Sequence, residues 1–322
     1  MTGTGNRSDD RPRGHRPYPH EVLTAGYLAV TGALGALLGH PALIWRNVVA
    51  HTIGIIVILV VLPRLPQRRW VVAVRDWGLV FVLPFLYVEV AHLNRLLSTG
   101  YHDNTIQSVE MALFHAPPGA ALRHVLPWWP VDEYLHFTYV AYYALLPLLG
   151  GALYFTGRRR EFRYVLATVL GTFYVCYICF ILYPVAGPWY HTPHLDTASL
   201  GRFFPNLVQT VLERAASKGA AFPSSHVAVA VVIWLLAWRF ARRVFWILAL
   251  IVPALALGTV YGGFHYAVDA GAGLLVGVAG YFAAPHVHRF LGGDMPEPGL
   301  GGIEGARPSV SAPADANVAE AA

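Results

Sequence analysis

Along the chain, stretches of about 16 to 25 residues nearly free of Asp, Glu, Lys and Arg alternate with shorter polar connections. Each stretch is long enough to cross a hydrocarbon layer of about 30 Å as a helix. Eight spans are expected, at about 22–39, 47–63, 77–97, 131–156, 162–184, 225–240, 243–261 and 265–288. Helices are the expected form, because an open sheet edge would leave backbone N–H and C=O groups unpaired in lipid. Two connections are longer, 98–130 and 185–224, and carry Pro, His, Trp and amphipathic patches in place of a continuous apolar run. These are the expected site-forming loops, in an all-α, polytopic membrane protein.

Composition supports this pattern. The 322 residues are 56% hydrophobic and 13% charged, against about 25% charged in a soluble domain, and the mean hydropathy is +0.48. A water-soluble core of this composition would expose too much apolar surface, so a soluble protein is excluded. Residues 1–20, rich in Gly, Arg, Pro and Asp, and 291–322, rich in Gly, Pro and Ala, read as disordered tails. Between them, 21–97 reads as N-terminal membrane helices and 98–290 as the catalytic membrane domain. The first apolar segment begins near Val22 with no clear cleavage site after it, so it is expected to be a retained helix and not a signal peptide. Cys176 and Cys179 lie inside the apolar run Thr172 to Leu182, which points to packing and not to redox or zinc chemistry. Lys218 is the only lysine, an arginine bias that suggests a GC-rich bacterial source.

Arginines set the expected orientation. Those preceding the first span, between the second and third, between the fourth and fifth, between the sixth and seventh, and in the C-terminal tail account for 17 of the 23 basic residues. The positive-inside rule makes that side cytoplasmic, with both termini inside a plasma (inner) membrane. The opposite face holds the two long loops and 11 of the 15 histidines. No nucleic-acid motif appears, and the expected partners are membrane lipids.

Two strings on the histidine-rich face carry the chemistry. Phe222-Pro223-Ser224-Ser225-His226 precedes an apolar helix. Serines at such a start, with the helix dipole, make an anion site suited to phosphate, and His226 could exchange a proton there. The second string, Tyr261-Gly262-Gly263-Phe264-His265-Tyr266-Ala267-Val268-Asp269, opens the last span. Four residues separate His265 from Asp269, so both are expected on one helical face, with the carboxylate holding one imidazole nitrogen and leaving the other free to attack. Since the sixth and eighth spans both run inward from outside, all three residues should lie at similar depth. That grouping suits phosphoryl transfer through a phosphohistidine better than acyl transfer.

At these residues the chain resembles the type-2 phosphatidic acid phosphatase superfamily, whose second motif is Pro-Ser-Gly-His and whose third ends in His-x-x-x-Asp. Ser225 replaces the glycine. The resemblance, over roughly residues 100 to 285, implies a six-helix core in which His265 is the nucleophile, Asp269 its relay and His226 the general acid, without a metal or other cofactor. The first motif, Lys, six residues, then Arg-Pro, is missing, and Gly258 and Thr259 stand where the third normally begins Ser-Arg. With Pro188-Trp189-Tyr190 after a proline-containing helix end and His-Tyr-x-x-Asp later, the pattern looks like the inositol phosphorylceramide synthase branch, an inositolphosphotransferase.

Charge argues the same way. A monoester dianion near low dielectric needs several cations, whereas a phosphodiester carries one negative charge and needs fewer. The expected activity is therefore transfer of a phosphorylated head group, inositol phosphate among the candidates, between lipids of phospholipid or sphingolipid type. A phosphatase acting on phosphatidic acid or a prenyl pyrophosphate, and a non-catalytic lipid-binding protein, are the alternatives. Ser224, Ser225, Trp189, Tyr190, Arg202 and Lys218 are the expected substrate-binding residues, Arg202, Arg214 and Lys218 being able to replace the missing cations or to be ordinary loop charges. In the 98–130 loop, Glu110, Leu113-Phe114, Pro117-Pro118 and Trp128-Trp129 read as interface residues or as a surface or re-entrant helix guiding lipid inward. His191-x-x-His194-x-Asp196 has metal-ligand types but no helix to hold them, and no metal is expected there.

Overall fold

The computed structural model describes residues 16–39, 41–191, 203–215 and 217–296. Both terminal tails, His194, Asp196 and Arg202 lie outside the described residues, apart from 16–20 and 291–296. The helices are α1 (Pro19–Leu38), α2 (Pro41–Ile56), continued by a π turn (Val57–Val61) and Leu62–Arg64, α3 (Arg69–Leu97), α4 (Asp103–Phe114), α5 (Pro118–Val125), α6 (Trp129–Phe155), α7 (Arg159–Leu182), α8 (Phe204–Ala215), α9 (Ser225–Phe240), α10 (Arg242–Tyr261) and α11 (Ala267–Phe290). Seven are long and apolar enough to cross a membrane, and α9, at 16 residues, is a shorter apolar helix packed among them. At 1.5 Å per residue, α9 spans about 24 Å.

Seven of the eight expected spans are thus present at membrane-crossing length, with shifted ends, and the eighth, expected at 225–240, is the shorter helix α9. The third begins at Arg69, not near 77, because Arg75 and Asp76 are neutralised inside the bundle and the helix runs through them. The Glu21 carboxylate accepts from Arg75 Nε at 2.8 Å and Nη2 at 2.7 Å. Asp76 accepts from Arg159 at 3.0 Å and Arg163 at 2.7 Å. Arg158 donates to the Phe240 carbonyl at 2.6 Å. Arginines therefore tie α1, α3, α7 and α9 together at one end of the bundle. Buried ions are costly unless paired in this way.

The last span also begins later than expected, at Ala267, so His265 precedes the helix and does not share its face with Asp269. A turn holds it there. Gly263 adopts φ +70°, and the N–H groups of Phe264 and His265 both donate to the Thr259 carbonyl at 3.0 Å. The 98–130 connection contains the two short helices α4 and α5, with Trp128 and Trp129 exposed. Cys176 is buried and Cys179 partly so, both free thiols in the apolar packing of α7.

Helix α9 is enclosed on nearly every side. Val227, Ala228, Ala230, Val232, Ile233, Leu236 and Ala237 are all buried against the surrounding helices. Its closest neighbour is α11, through Gly273 and Gly277. A Cβ on Gly273 would lie 2.4 Å from the Ser224 carbonyl oxygen, and one on Gly277 would lie 2.5 Å from that of Ala228. Small residues four apart allow the two backbones to touch. Replacing Gly277 with Val should therefore lower thermal stability in detergent, by about 1–3 kcal/mol or more. Gly271→Ala, at a position with nothing within 4 Å of the added Cβ, should leave the unfolding temperature unchanged or slightly raised.

Candidate active site

The contact between α9 and α11 brings two helix N-termini together. Ser224 is the N-cap of α9, its hydroxyl accepting from Val227 N–H at 3.4 Å, while its own N–H donates to the Asp269 carbonyl at 2.9 Å. Capping is the usual use of a serine at this position. Ser224 and Ser225 are both buried. Asp269 occupies the third position of α11, where its Oδ2 accepts from the N-cap Tyr266 N–H at 2.9 Å.

His265 and His226 meet at this junction. His265 Nδ1 lies 3.0 Å from the Ala221 carbonyl oxygen and 3.7 Å from Asp269 Oδ2, and Nε2 lies 3.5 Å from His226 Nδ1. A carbonyl can only accept, so in the neutral ring Nδ1 carries the proton and Nε2 presents its lone pair. The nearest holder of the imidazole is therefore the Ala221 backbone. The Asp269 carboxylate, expected in that place, stands further off because it is committed to capping α11. His226 is stacked on Tyr139, with centroids 4.7 Å apart, and tilted against Tyr142 at 4.5 Å. These tyrosines, three apart on α6, fix the second imidazole.

The loops around the histidines are held by two acidic residues of α4. Asp103, buried, accepts from Ala186 N–H at 2.9 Å, Gly187 N–H at 2.8 Å and the Tyr266 hydroxyl at 3.1 Å. Gln107 donates to the same hydroxyl at 2.8 Å. One turn further along the same face, Glu110 accepts from Val268 N–H at 3.3 Å and from Ala267 N–H, capping α11 with a carboxylate as the helix dipole favours. Gly187 has φ +96°, and an added Cβ would meet Ala221 Cβ and the Phe264 carbonyl, so only glycine fits. Ala221 N–H also donates to the Val185 carbonyl at 3.0 Å. The segment after α7 and the segment before α9 thereby run side by side.

A cavity of about 290 Å³ opens on this junction, with Gln107, Glu110, Pro188, His191, His265 and Tyr266 in its wall. Trp189 packs on Phe264, with centroids 6.5 Å apart. The Lys218 ammonium lies over the Tyr101 ring at 5.0 Å and the Tyr190 ring at 5.3 Å, off the cavity wall. Arg214 is exposed on α8. A larger cavity, of about 720 Å³ and lined by α1, α2 and α3, shares no residue with this wall.

Structure thus unites His226, His265, Asp269, Ser224 and Ser225. Of the expected site residues His265 alone is among the described residues of the cavity wall, His226, Asp269, Ser224, Ser225, Trp189, Tyr190 and Lys218 lying off it, and Arg202 lies outside the described residues. Sequence reasoning missed Asp103, Gln107 and Tyr139, and quoted Tyr266 within its motif without giving it a role. The spacing of Asp103 and Glu110, seven residues apart on an amphipathic segment, carried a signal, since it places both carboxylates on one helical face.

A many-helix membrane protein with paired imidazoles at a helix N-terminus is the class that fold and site define. The family model described as the PAP2 superfamily matches residues 104–283, and the chain belongs to that superfamily. No curated protein and no solved structure matches the chain. Superfamily membership supports phosphatase or phosphotransferase chemistry on lipid substrates.

Burial raises the pKa of Glu110 above the usual carboxylate range, outweighing the N–H groups of Ala267 and Val268 that lower it. The folded state therefore holds this proton more tightly than the unfolded chain, and the stabilisation is lost as pH rises through the folded value. Glu110→Gln keeps an acceptor for the cap and removes the titration. In thermal unfolding across the acid to neutral range, the variant should show a flatter loss of stability with rising pH than the wild type.

Proposed function

We propose that the protein is a membrane-embedded lipid phosphotransferase. It moves a phosphorylated head group, inositol phosphate being one candidate, from one lipid to another at the extracytoplasmic face. The observation that carries this reading is the 3.5 Å approach of His265 Nε2 to His226 Nδ1, with the His265 Nδ1 proton committed to the Ala221 carbonyl. One imidazole is then a nucleophile and its neighbour an acid.

In the first step His265 Nε2 attacks phosphorus, a P–N bond forms and the P–O bond to the donor lipid breaks. The departing alkoxide takes a proton from His226, and the donor leaves as a neutral lipid alcohol. Asp269, 3.7 Å from Nδ1, stabilises the positive charge that the ring acquires. In the second step the acceptor hydroxyl gives its proton back to His226, its oxygen attacks phosphorus and the P–N bond breaks. Atoms and protons balance over the cycle, His226 giving up one proton in the first step and regaining one in the second. The N-terminal turn of α9, capped by Ser224, supplies a dipole toward the developing phosphoryl charge. The sidedness of the arginines supports a bacterial inner membrane with the site outside.

Purified protein in lipid nanodiscs should be given a diacyl phosphoinositide with an alcohol-bearing lipid, or phosphatidic acid alone, and scored for free phosphate and for a new phospholipid. A new phospholipid without stoichiometric phosphate is the expected result. Phosphate release from phosphatidic acid alone would favour hydrolysis, and no consumption of either substrate would favour a lipid-binding protein. His265→Ala should lower turnover by several orders of magnitude, and an acid-labile labelled enzyme should form in the wild type only.

A further inference from the structure

The Asp103 carboxylate serves more groups than the structural bonds already described. His191 Nε2 lies 3.3 Å from Asp103 Oδ1. The other three partners, two backbone N–H groups and the Tyr266 hydroxyl, are buried framework. His191 differs from them in its exposure: its side chain is 44% exposed, in the wall of the cavity that His265 and Tyr266 also line.

No Lys or Arg is among the described residues of that wall, so His191 and His265 are the groups there able to carry positive charge. His265 must keep Nε2 unprotonated to attack. That leaves His191. With a proton on each ring nitrogen an imidazole donates from both. Asp103 takes one N–H, and Nδ1–H is the donor an anion would use. Glu110 contributes a carboxylate to the same wall.

We propose that His191, oriented by Asp103, is the phosphate-binding residue of this site. A single imidazole donor, in a wall with no Lys or Arg among the described residues, suits a phosphodiester monoanion better than a monoester dianion. Asp103 is a positioning residue acting through His191. This inference rests on the phosphotransferase reading and adds the group that holds the substrate and the charge state it accepts.

The test is steady-state kinetics of full-length protein in nanodiscs with a diacyl phosphoinositide, together with inhibition by inorganic phosphate. His191→Gln should raise KM and the inhibition constant for phosphate about tenfold or more while kcat changes little, the pattern of lost uniform binding. His191→Arg should restore KM and, by adding a permanent cation, increase turnover of phosphatidic acid relative to the diester. Asp103→Asn should shift KM in the same direction as His191→Gln. Unchanged KM and inhibition constant in His191→Gln, or equal losses in the Gln and Arg variants, would overturn the proposal while leaving the phosphotransferase reading intact. A wild type that consumes no lipid phosphate ester would remove both.

Discussion

The contact between the backbones of α9 and α11 is the constraint on which the site depends. Gly273 and Gly277 permit it, because a side chain at either position would overlap the carbonyl oxygens of Ser224 or Ala228. Close approach then allows Ser224 N–H to reach the Asp269 carbonyl. Through that one bond the start of α9 and the first turn of α11 become a single rigid junction. His226 sits just inside one helix and His265 just before the other, so their separation is set by backbone geometry. Two long polar side chains would have to give up rotamer entropy to reach the same arrangement.

Charge is arranged differently at the two ends of the bundle. At one end, guanidinium groups satisfy the buried carboxylates of Glu21 and Asp76 and clamp four helices. At the other, carboxylates of α4 accept from backbone N–H groups, holding the loop that carries Gly187 and the first turn of α11. Among the described residues, the cavity wall holds imidazoles and no Lys or Arg. The proposed preference for an ester bearing one negative charge over one bearing two rests on that composition.

The short helices α4 and α5 show how a connection becomes part of a site. An amphipathic segment at the bundle's end cannot be satisfied by lipid on every face. Its acidic residues turn inward to backbone donors, while Leu113 and Phe114 remain exposed. Glu110, which reads from sequence as an interface residue or lipid guide, thereby acts as the N-terminal cap of α11.

Apolar run length by itself determined where the apolar helices lie and in what order, because lipid leaves the backbone few choices other than a helix; that α9 is shorter than a full span it did not show. It also determined that His226, His265 and Asp269 would gather at one end, since alternate spans run in the same direction. Where each helix begins was decided by tertiary structure: α3 extends through Arg75 and Asp76 because partners from α1 and α7 neutralise them, and α11 starts after His265 because the Gly263 turn places that residue in a loop. The sequence could not show that the Ala221 carbonyl would be the nearer partner of His265, since a backbone oxygen carries no residue signature. Nor could it show that Asp103 would join α4 to the loops after α7 and before α11. Such bonds depend on which backbone groups the packed helices leave without partners, and that is known only once the bundle is assembled.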